Sequence, residues 1–381
     1  MYRIHLILNP WLNRGAWYKL LIPQRIKKCP LNLRVKLRFF ETPVKPVSCT
    51  MHPRLNHGFR IILMIIGVVM PTLGYANYGE RQDVREFVGQ MVARHGFDEK
   101  ILTYWLQDVE QQKTALEAIA RPAEAKPWKD YRPIFITSRR ISKGVEFWQA
   151  NRELLARAEQ HYGVPAEIIV AIIGVETFYG KRIGSYPVLD ALTTLGFDYP
   201  PRASFFRKEL EQFLLMSREE KFDPRTLKGS YAGAMGMPQF ISSSFRAYAV
   251  DFDGDGQRDL WNSTADVVGS VANYFSRHGW QSGKPIVTRA SVIKPADDLG
   301  DKQMKPHKTV ADFKQLGVSP MKPFSNEEMA TLLKLQGSDG DEYWLGLHNF
   351  YVITRYNHSP LYAMAVYQLS QAVASEYRTD Q

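Results

Sequence analysis

Glu167-Ile168-Ile169-Val170-Ala171-Ile172-Ile173-Gly174-Val175-Glu176-Thr177-Phe178-Tyr179-Gly180 is an almost unbroken apolar run that carries one ionisable side chain, Glu176, near its end. The segment reads as one helix. Pro165 suits its first turn, Glu167 favours the positive N-terminal end, and Gly180 suits a C-terminal stop. With apolar residues on every side, Glu176 is heading for burial. Burial disfavours the charged carboxylate and raises its pKa, which is what a general acid needs near neutral pH. A partly exposed glutamate paired with a nearby Arg or Lys would be written in the same letters. The run alone does not separate the two.

Working outward, the chain of 381 residues is long enough for two or three packed units, and its composition is globular. The net charge of +10 is unevenly placed. Residues 1–50 hold ten Lys or Arg and one acid, Glu41; residues 51–76 add Arg54 and Arg60 with no acid, leaving residues 77–381 at −1. A near-neutral body gives no support to nucleic-acid binding by counterion release.

The charge boundary has an explanation. Met51 is followed by Arg54, His57 and Arg60, then by the short apolar stretch Ile61 to Met70, then by Pro71 and Gly74-Tyr75-Ala76. That is the layout of a secretory signal, residues 51–76, with cleavage expected after Ala76. The stretch is too short to span a membrane comfortably. Residues 1–50 then read as an over-extension of the frame, with translation starting at Met51; an uncleaved N-terminal anchor is the alternative. Cys29 and Cys49 are the only cysteines and both precede Met51. The expected mature chain has no disulfide, no thiol nucleophile and no cysteine to take a lipid, so the product is expected to be exported, periplasmic and soluble.

Helical spacing recurs from Tyr78 to about Ala120, from Gly144 to Tyr162, from Phe205 to Met216, from Ala265 to His278 and from Pro360 to Ser375. Arg121 to Pro133, with three prolines, reads as an extended connection, and Tyr343 to Thr354 as strand-like. Lys284 to about Asp341 changes character, with β-rich Pro285-Ile286-Val287-Thr288 and scattered Pro and Gly, and reads as a small mixed or β unit.

Two further motifs carry chemistry. Lys228 to Phe240 contains Gly229-Ser230-Tyr231-Ala232-Gly233-Ala234-Met235-Gly236-Met237-Pro238-Gln239-Phe240, in which the glycines allow close backbone approach while Ser230, Tyr231 and Gln239 offer hydrogen bonds and a flat ring. Tyr274, Trp280 and Tyr356-Asn357-His358-Ser359-Pro360-Leu361-Tyr362 follow. Tyrosines and amides gathered around an acid suit a sugar polymer, although each tyrosine alone is as well explained by core packing. The second motif is Asp251-Phe252-Asp253-Gly254-Asp255-Gly256-Gln257-Arg258-Asp259-Leu260-Trp261-Asn262. Carboxylates Asp251, Asp253 and Asp255 alternate, Gly256 sits at the sharp turn, and Gln257 would supply its backbone carbonyl, which fits a Ca²⁺ loop. The closing position holds Asn262 where a bidentate Glu is expected. An Asp/Gly turn without metal is the bland alternative.

Taken in order, Gly174 to Gly180, Val188-Leu189-Asp190-Ala191-Leu192, Gly229 to Phe240, the Asp251 loop and Tyr356-Asn357 resemble the membrane-bound lytic murein transglycosylase B family, from about Tyr78 to the C-terminus. The resemblance implies a mainly α (α+β) fold: a lysozyme-like core with a helical domain and a small inserted β domain. The expected divisions are a helical domain at 77–150, the core at 151–280 with the Ca²⁺ loop at 251–266, the β unit at 281–345, and 346–381 completing the groove. It implies Glu176 as the single acid/base and Ser230 as a residue that places the reacting muramoyl group. Gln239, Phe240, Tyr131, Arg202, Tyr274, Tyr356, Asn357 and Tyr362 are implied as substrate contacts, and Asp266 as the residue completing a structural Ca²⁺ shell. Where the family has two arginines after Tyr-Pro, this chain has Pro201-Arg202; Ser242 replaces a common Pro. No organic cofactor is implied, and the partner is the peptidoglycan glycan strand.

A conventional glycosidase needs two carboxylates across the bond it cuts. Glu176 is the one these motifs single out; Asp190 and Asp198 carry no such signature. The resemblance implies non-hydrolytic cleavage between N-acetylmuramic acid and N-acetylglucosamine, with a 1,6-anhydro product. Spacing alone leaves open a hydrolytic muramidase or a catalytically silent wall-binding scaffold.

Overall fold

Helix α7 (Ala166–Thr177) is the axis of the molecule, and its sequence explains why. Every residue from Ile168 to Ile173 is fully buried, and a helix apolar all round must be enclosed on all sides. It is sheathed by α5 (Ser138–Ala150), α6 (Arg152–Tyr162), α11 (Thr264–Arg277) and α14 (Pro360–Thr379). Each of its large aliphatic side chains contributes about 1.5–3 kcal/mol by leaving water, so the end of this helix is held firmly. The computed structural model describes residues 77–120, 126–293, 300–301 and 303–379. The signal at 51–76, its cleavage after Ala76 and the start at Met51 lie outside the described residues.

The N-terminal part comprises α1 (Gln82–His95), α2 (Glu99–Gln107) and α3 (Lys113–Ile119), the last packing on α8 (Val188–Asp198). In turn α8 packs on α9 (Ala203–Glu219), which supports α10 (Ser242–Tyr248). Short strands β1 (Tyr186–Pro187) and β2 (Lys228–Gly229) pair antiparallel beneath the Gly-rich segment. A five-stranded antiparallel sheet is inserted between α11 and α13 (His348–Tyr356). Its order is β4 (Lys308–Thr309), β6 (Met329–Gly337), β7 (Gly340–Gly346), β3 (Val287–Val292), β5 (Val318–Pro320). Short helix α12 (Val310–Gln315), held by a Thr309–Asp312 capping box, packs beside it around Val310, Phe313, Leu332 and Leu345.

Four local expectations differ. The proline-rich connection contains α4 (Trp128–Phe135): Pro127 caps it and Pro133 lies within it. Burial of Trp128, Tyr131 and Phe135 outweighs the missing N–H. Tyr343–Thr354 is strand only to Gly346 and then turns into α13. The helical pattern over Gly144–Tyr162 begins earlier, at Ser138, and is divided into α5 and α6 at Asn151 (φ −122°, ψ 27°). Finally, α7 stops at Phe178 rather than Gly180, because Phe178 itself adopts the left-handed conformation (φ 52°).

Candidate active site

Glu176 occupies the last turn of α7. It keeps partial access to solvent, yet protein surrounds its carboxyl, and burial pushes it from 4.5 up to about 8 against the opposing hydrogen bond from Tyr362. Tyr362, in the first turn of α14, donates its hydroxyl to Glu176 Oε1 at 2.6 Å. No Arg or Lys charge contributes to the environment of Glu176 among the described residues, so the paired-surface-glutamate reading does not fit. Asp190 and Asp198 are engaged elsewhere. Asp190 accepts from Glu110 N and Gln112 Nε2, and Asp198 from Tyr78, Arg81 and Gln111.

The Gly-rich segment is clamped to the end of α7. Thr177 Oγ1 donates to Met237 O at 2.8 Å, Gln239 Nε2 to Ile183 O at 3.1 Å and Gly236 O at 2.9 Å, and Tyr356 Oη to Pro238 O at 2.5 Å. Gln239 is held at φ 54°, a strained value for a residue other than glycine. Its Oε1 is buried without a partner, and so is Asn357 Nδ2, whose Oδ1 accepts from Ser359 N. A buried orphan acceptor and a buried orphan donor each cost about 1–3 kcal/mol unless a ligand satisfies them. Ser230, 1% exposed, accepts from Ala234 N at 3.0 Å and fixes the tight turn of this segment.

The aromatic residues are more deeply placed than ring-stacking on sugars requires. Tyr131, Phe240, Tyr274, Tyr356 and Tyr362 are all at most 4% exposed. Phe240, Tyr274 and Tyr356 pack mutually, Tyr356 lies parallel to Tyr362, and the Tyr274 hydroxyl donates to Arg355 O. They build the wall behind Glu176 rather than open ring faces. Arg202 lies over Phe205 at 4.3 Å and is coupled to Glu209, and neither contact belongs to the Glu176 group. Sequence reasoning missed the clamp contributed by Thr177, Ile183 and Pro238, since backbone carbonyls leave no residue signature.

The Asp251 loop is a second chemical centre. Asp251, Asp253 and Asp255 are exposed, and one carboxylate oxygen from each lies within 4.8 Å of the others. Gly254 N and Gly256 N bind Asp251 at 2.6 and 2.8 Å, and positive φ at both glycines (84° and 91°) lets the loop curl around that point. Three converging acids that pair with no lysine or arginine among the described residues suit a hard divalent cation with oxygen ligands. Asp266 lies behind these three acids and interacts electrostatically with Asp253 and Asp251. It is fully buried, and its oxygens accept from Phe252 N at 2.7 Å and Asp259 N at 2.8 Å, so it braces the loop from inside. Gln257 Nε2 donates to Glu220 O, and Asn262 binds Asp259.

Comparison with known proteins agrees with this architecture. The profile described as Transglycosylase SLT domain matches residues 79–371. Membrane-bound lytic murein transglycosylase B of Escherichia coli is 45% identical over 312 residues, 78% of this chain and 84% of that protein. The crystal structure of catenated lytic transglycosylase SltB1 from Pseudomonas aeruginosa superposes with a TM-score of 0.76 at 52% identity, covering 79% of this chain and 99% of that one. Escherichia coli Slt35, solved in complex with calcium, gives a TM-score of 0.73 at 46% identity, covering 78% and 94%. The mainly helical, lysozyme-like fold with its small sheet is the one these enzymes share. The chain belongs to the transglycosylase SLT domain family and is a lytic murein transglycosylase, an enzyme acting on peptidoglycan.

Proposed function

We propose that Glu176 alone supplies the acid and the base for cleavage of the β-1,4 bond between N-acetylmuramic acid and N-acetylglucosamine, leaving a 1,6-anhydromuramoyl end. The observation that carries this is the carboxyl raised to about 8 with no second carboxylate among the described residues acting on it. At neutral pH Glu176 holds its proton and delivers it to the glycosidic oxygen as positive charge grows at C1. The carboxylate so formed is stabilised by the Tyr362 hydroxyl at 2.6 Å. It then takes the proton of the muramoyl C6 hydroxyl as that oxygen attacks C1, so the atoms balance without water. The intramolecular attack gains from orientation already fixed on binding.

Gln239 Oε1 and Asn357 Nδ2, both orphaned, are the groups we assign to sugar hydroxyl and acetamido recognition. Ser230 holds the tight Gly-rich turn near them. Tyr131, Phe240, Tyr274 and Tyr356 serve as the supporting wall. In the Asp251 loop, Asp251, Asp253 and Asp255 would hold Ca²⁺, with the Gln257 carbonyl as a further ligand, and the ion would supply structural cross-linking of the loop. Asp266 acts behind them. The export reading rests on the leader pattern, and an N-terminus at Asn77 on protein from native cells would support it.

The deciding test is digestion of purified peptidoglycan with residues 77–381, followed by mass analysis of soluble muropeptides. Products one water lighter than reducing muropeptides, with no reducible end, support the cyclisation. Reducing ends would make the enzyme a muramidase and overturn it.

A further inference from the structure

Phe178 stands two residues beyond Glu176, and four cations approach its ring. Arg139, Arg140, Lys181 and Arg182 lie 5.7, 5.3, 6.0 and 5.6 Å from its centroid. Arg139, Lys181 and Arg182 are exposed, whereas Arg140 is only 7% exposed. Among the described residues, none of the four reaches a carboxylate within ion-pair distance. Arg140 gives one N–H to Ile134 O at 2.6 Å, while its Nε is buried without a partner. Burial, with Arg182 adding repulsion, pulls Arg140 down to about 10. One aromatic face and the negative end of α7 offset part of this repulsion, but neither satisfies a buried, orphaned guanidinium N–H.

The arrangement is preset. Phe178 and Tyr179 both sit in the left-handed region (φ 52° and 58°), a strained pair that survives only where its surroundings enforce it. Tyr179 supplies the enforcement: its hydroxyl donates to Arg140 O at 2.9 Å. Its ring lies where a Cβ on Gly144 or Gly174 would come within 2.5 or 2.6 Å of the hydroxyl oxygen. The cluster also adjoins the catalytic region on two sides. Ile183, next to Arg182, receives the Gln239 amide. On the other side a continuous stack runs from Tyr131 to Phe135 (5.1 Å), to Arg140 (5.1 Å), to Phe178 (5.3 Å). All four members of this stack are at most 8% exposed, so a ligand would meet the cluster through the exposed Arg139, Lys181 and Arg182.

We propose that Arg139, Arg140, Lys181 and Arg182 form an anion subsite taking a carboxylate of the peptide carried by the muramoyl residue at the cleavage point. This rests on the placement of the glycan beside Glu176 given above. Charge-assisted contacts to a carboxylate would quench the repulsion and discriminate peptide-bearing strands from bare ones.

The test compares the wild-type chain with the exposed double variant Lys181→Gln/Arg182→Gln on two substrates, intact peptidoglycan and strands stripped of peptides by an amidase. We expect kcat/KM on intact peptidoglycan to fall about tenfold and to lose much of its salt dependence, while kcat/KM on stripped strands changes less than twofold. Lys181→Arg/Arg182→Lys should retain the wild-type preference. An equal fall on both substrates, or an unchanged preference, would overturn the subsite. Wild-type products with reducing ends would overturn the single-glutamate mechanism instead, and the preference ratio would still be readable.

Discussion

Glu176 and the Asp251 loop use one functional group in opposite ways. At Glu176 a single carboxyl is enclosed at the end of an apolar helix, so it is pushed up to about 8 and holds a proton at neutral pH. In the loop, three carboxylates crowd together in solvent, and Asp251 is held below its ordinary value by the Gly256 and Gly254 amides. The first site solves the problem of desolvated charge by taking up a proton. The second favours the charged form of Asp251 through the two glycine amides, and the three converging acids suit a cation. Chemistry follows from which of the two penalties dominates, not from the carboxyl itself.

The sharpest way to break that contrast is Glu176→Gln. It should lower anhydromuropeptide release by about 10³-fold or more, since proton transfer has no other donor, while pelleting on the wall stays near wild type. Retained cleavage would mean that another group carries the proton.

Next in size is the loop. Adding Ca²⁺ to chelated protein should raise the thermal midpoint, by an amount equivalent to about 2.7 kcal/mol when free Ca²⁺ exceeds the dissociation constant 100-fold. Asp253→Asn/Asp255→Asn should erase the response, whereas Glu176→Gln should leave it intact. No rise in wild type would reduce the loop to an Asp/Gly turn.

The proton at Glu176 predicts a stability profile of definite sign. Because its folded value is raised from 4.5 to about 8, the folded state binds more protons than the unfolded state between those pH values. Stability from this group is therefore complete below pH 4.5 and is lost as pH rises toward 8. Asp190, raised from 3.8 to about 6, acts in the same direction at lower pH. Glu176→Gln should accordingly be more stable than wild type by about 1–3 kcal/mol at pH 8 and by much less at pH 4, as urea unfolding at the two pH values would show. Equal differences would argue against the buried proton.

The smallest effect concerns Tyr362→Phe. The hydroxyl favours the ionised carboxyl, so its loss should move the alkaline limb of the pH–rate profile upward and lower kcat about tenfold. A downward shift would show that Tyr362 serves the neutral acid instead.

Legibility in the sequence followed the same division. The apolar run around Glu176 and the alternating acids of the loop are local patterns, and both elements appear where those patterns place them. What was hidden depends on partners distant in the chain. Nothing in the letters of Asp266 says that two backbone amides from the preceding loop donate to its oxygens. Three prolines masked α4 because the burial of Trp128, Tyr131 and Phe135 is a tertiary fact. The β-branched and aromatic run Tyr343–Thr354 looked like strand because α13 is enforced by its burial rather than by propensity. The cations around Phe178 come from segments about forty residues apart, and only the left-handed turn of Phe178 and Tyr179 brings them to one ring.

The hydrogen bond between Glu176 and Tyr362 spans 186 positions, which ties this contact to the order of synthesis. A ribosome has already made α7 and the whole sheet before the tyrosine that contacts Glu176 exists. A chain interrupted between Glu176 and Pro360 would carry the acid without its partner and without α14, which covers one flank of α7. The surroundings of Glu176 are therefore complete only once nearly all of the described residues have been joined.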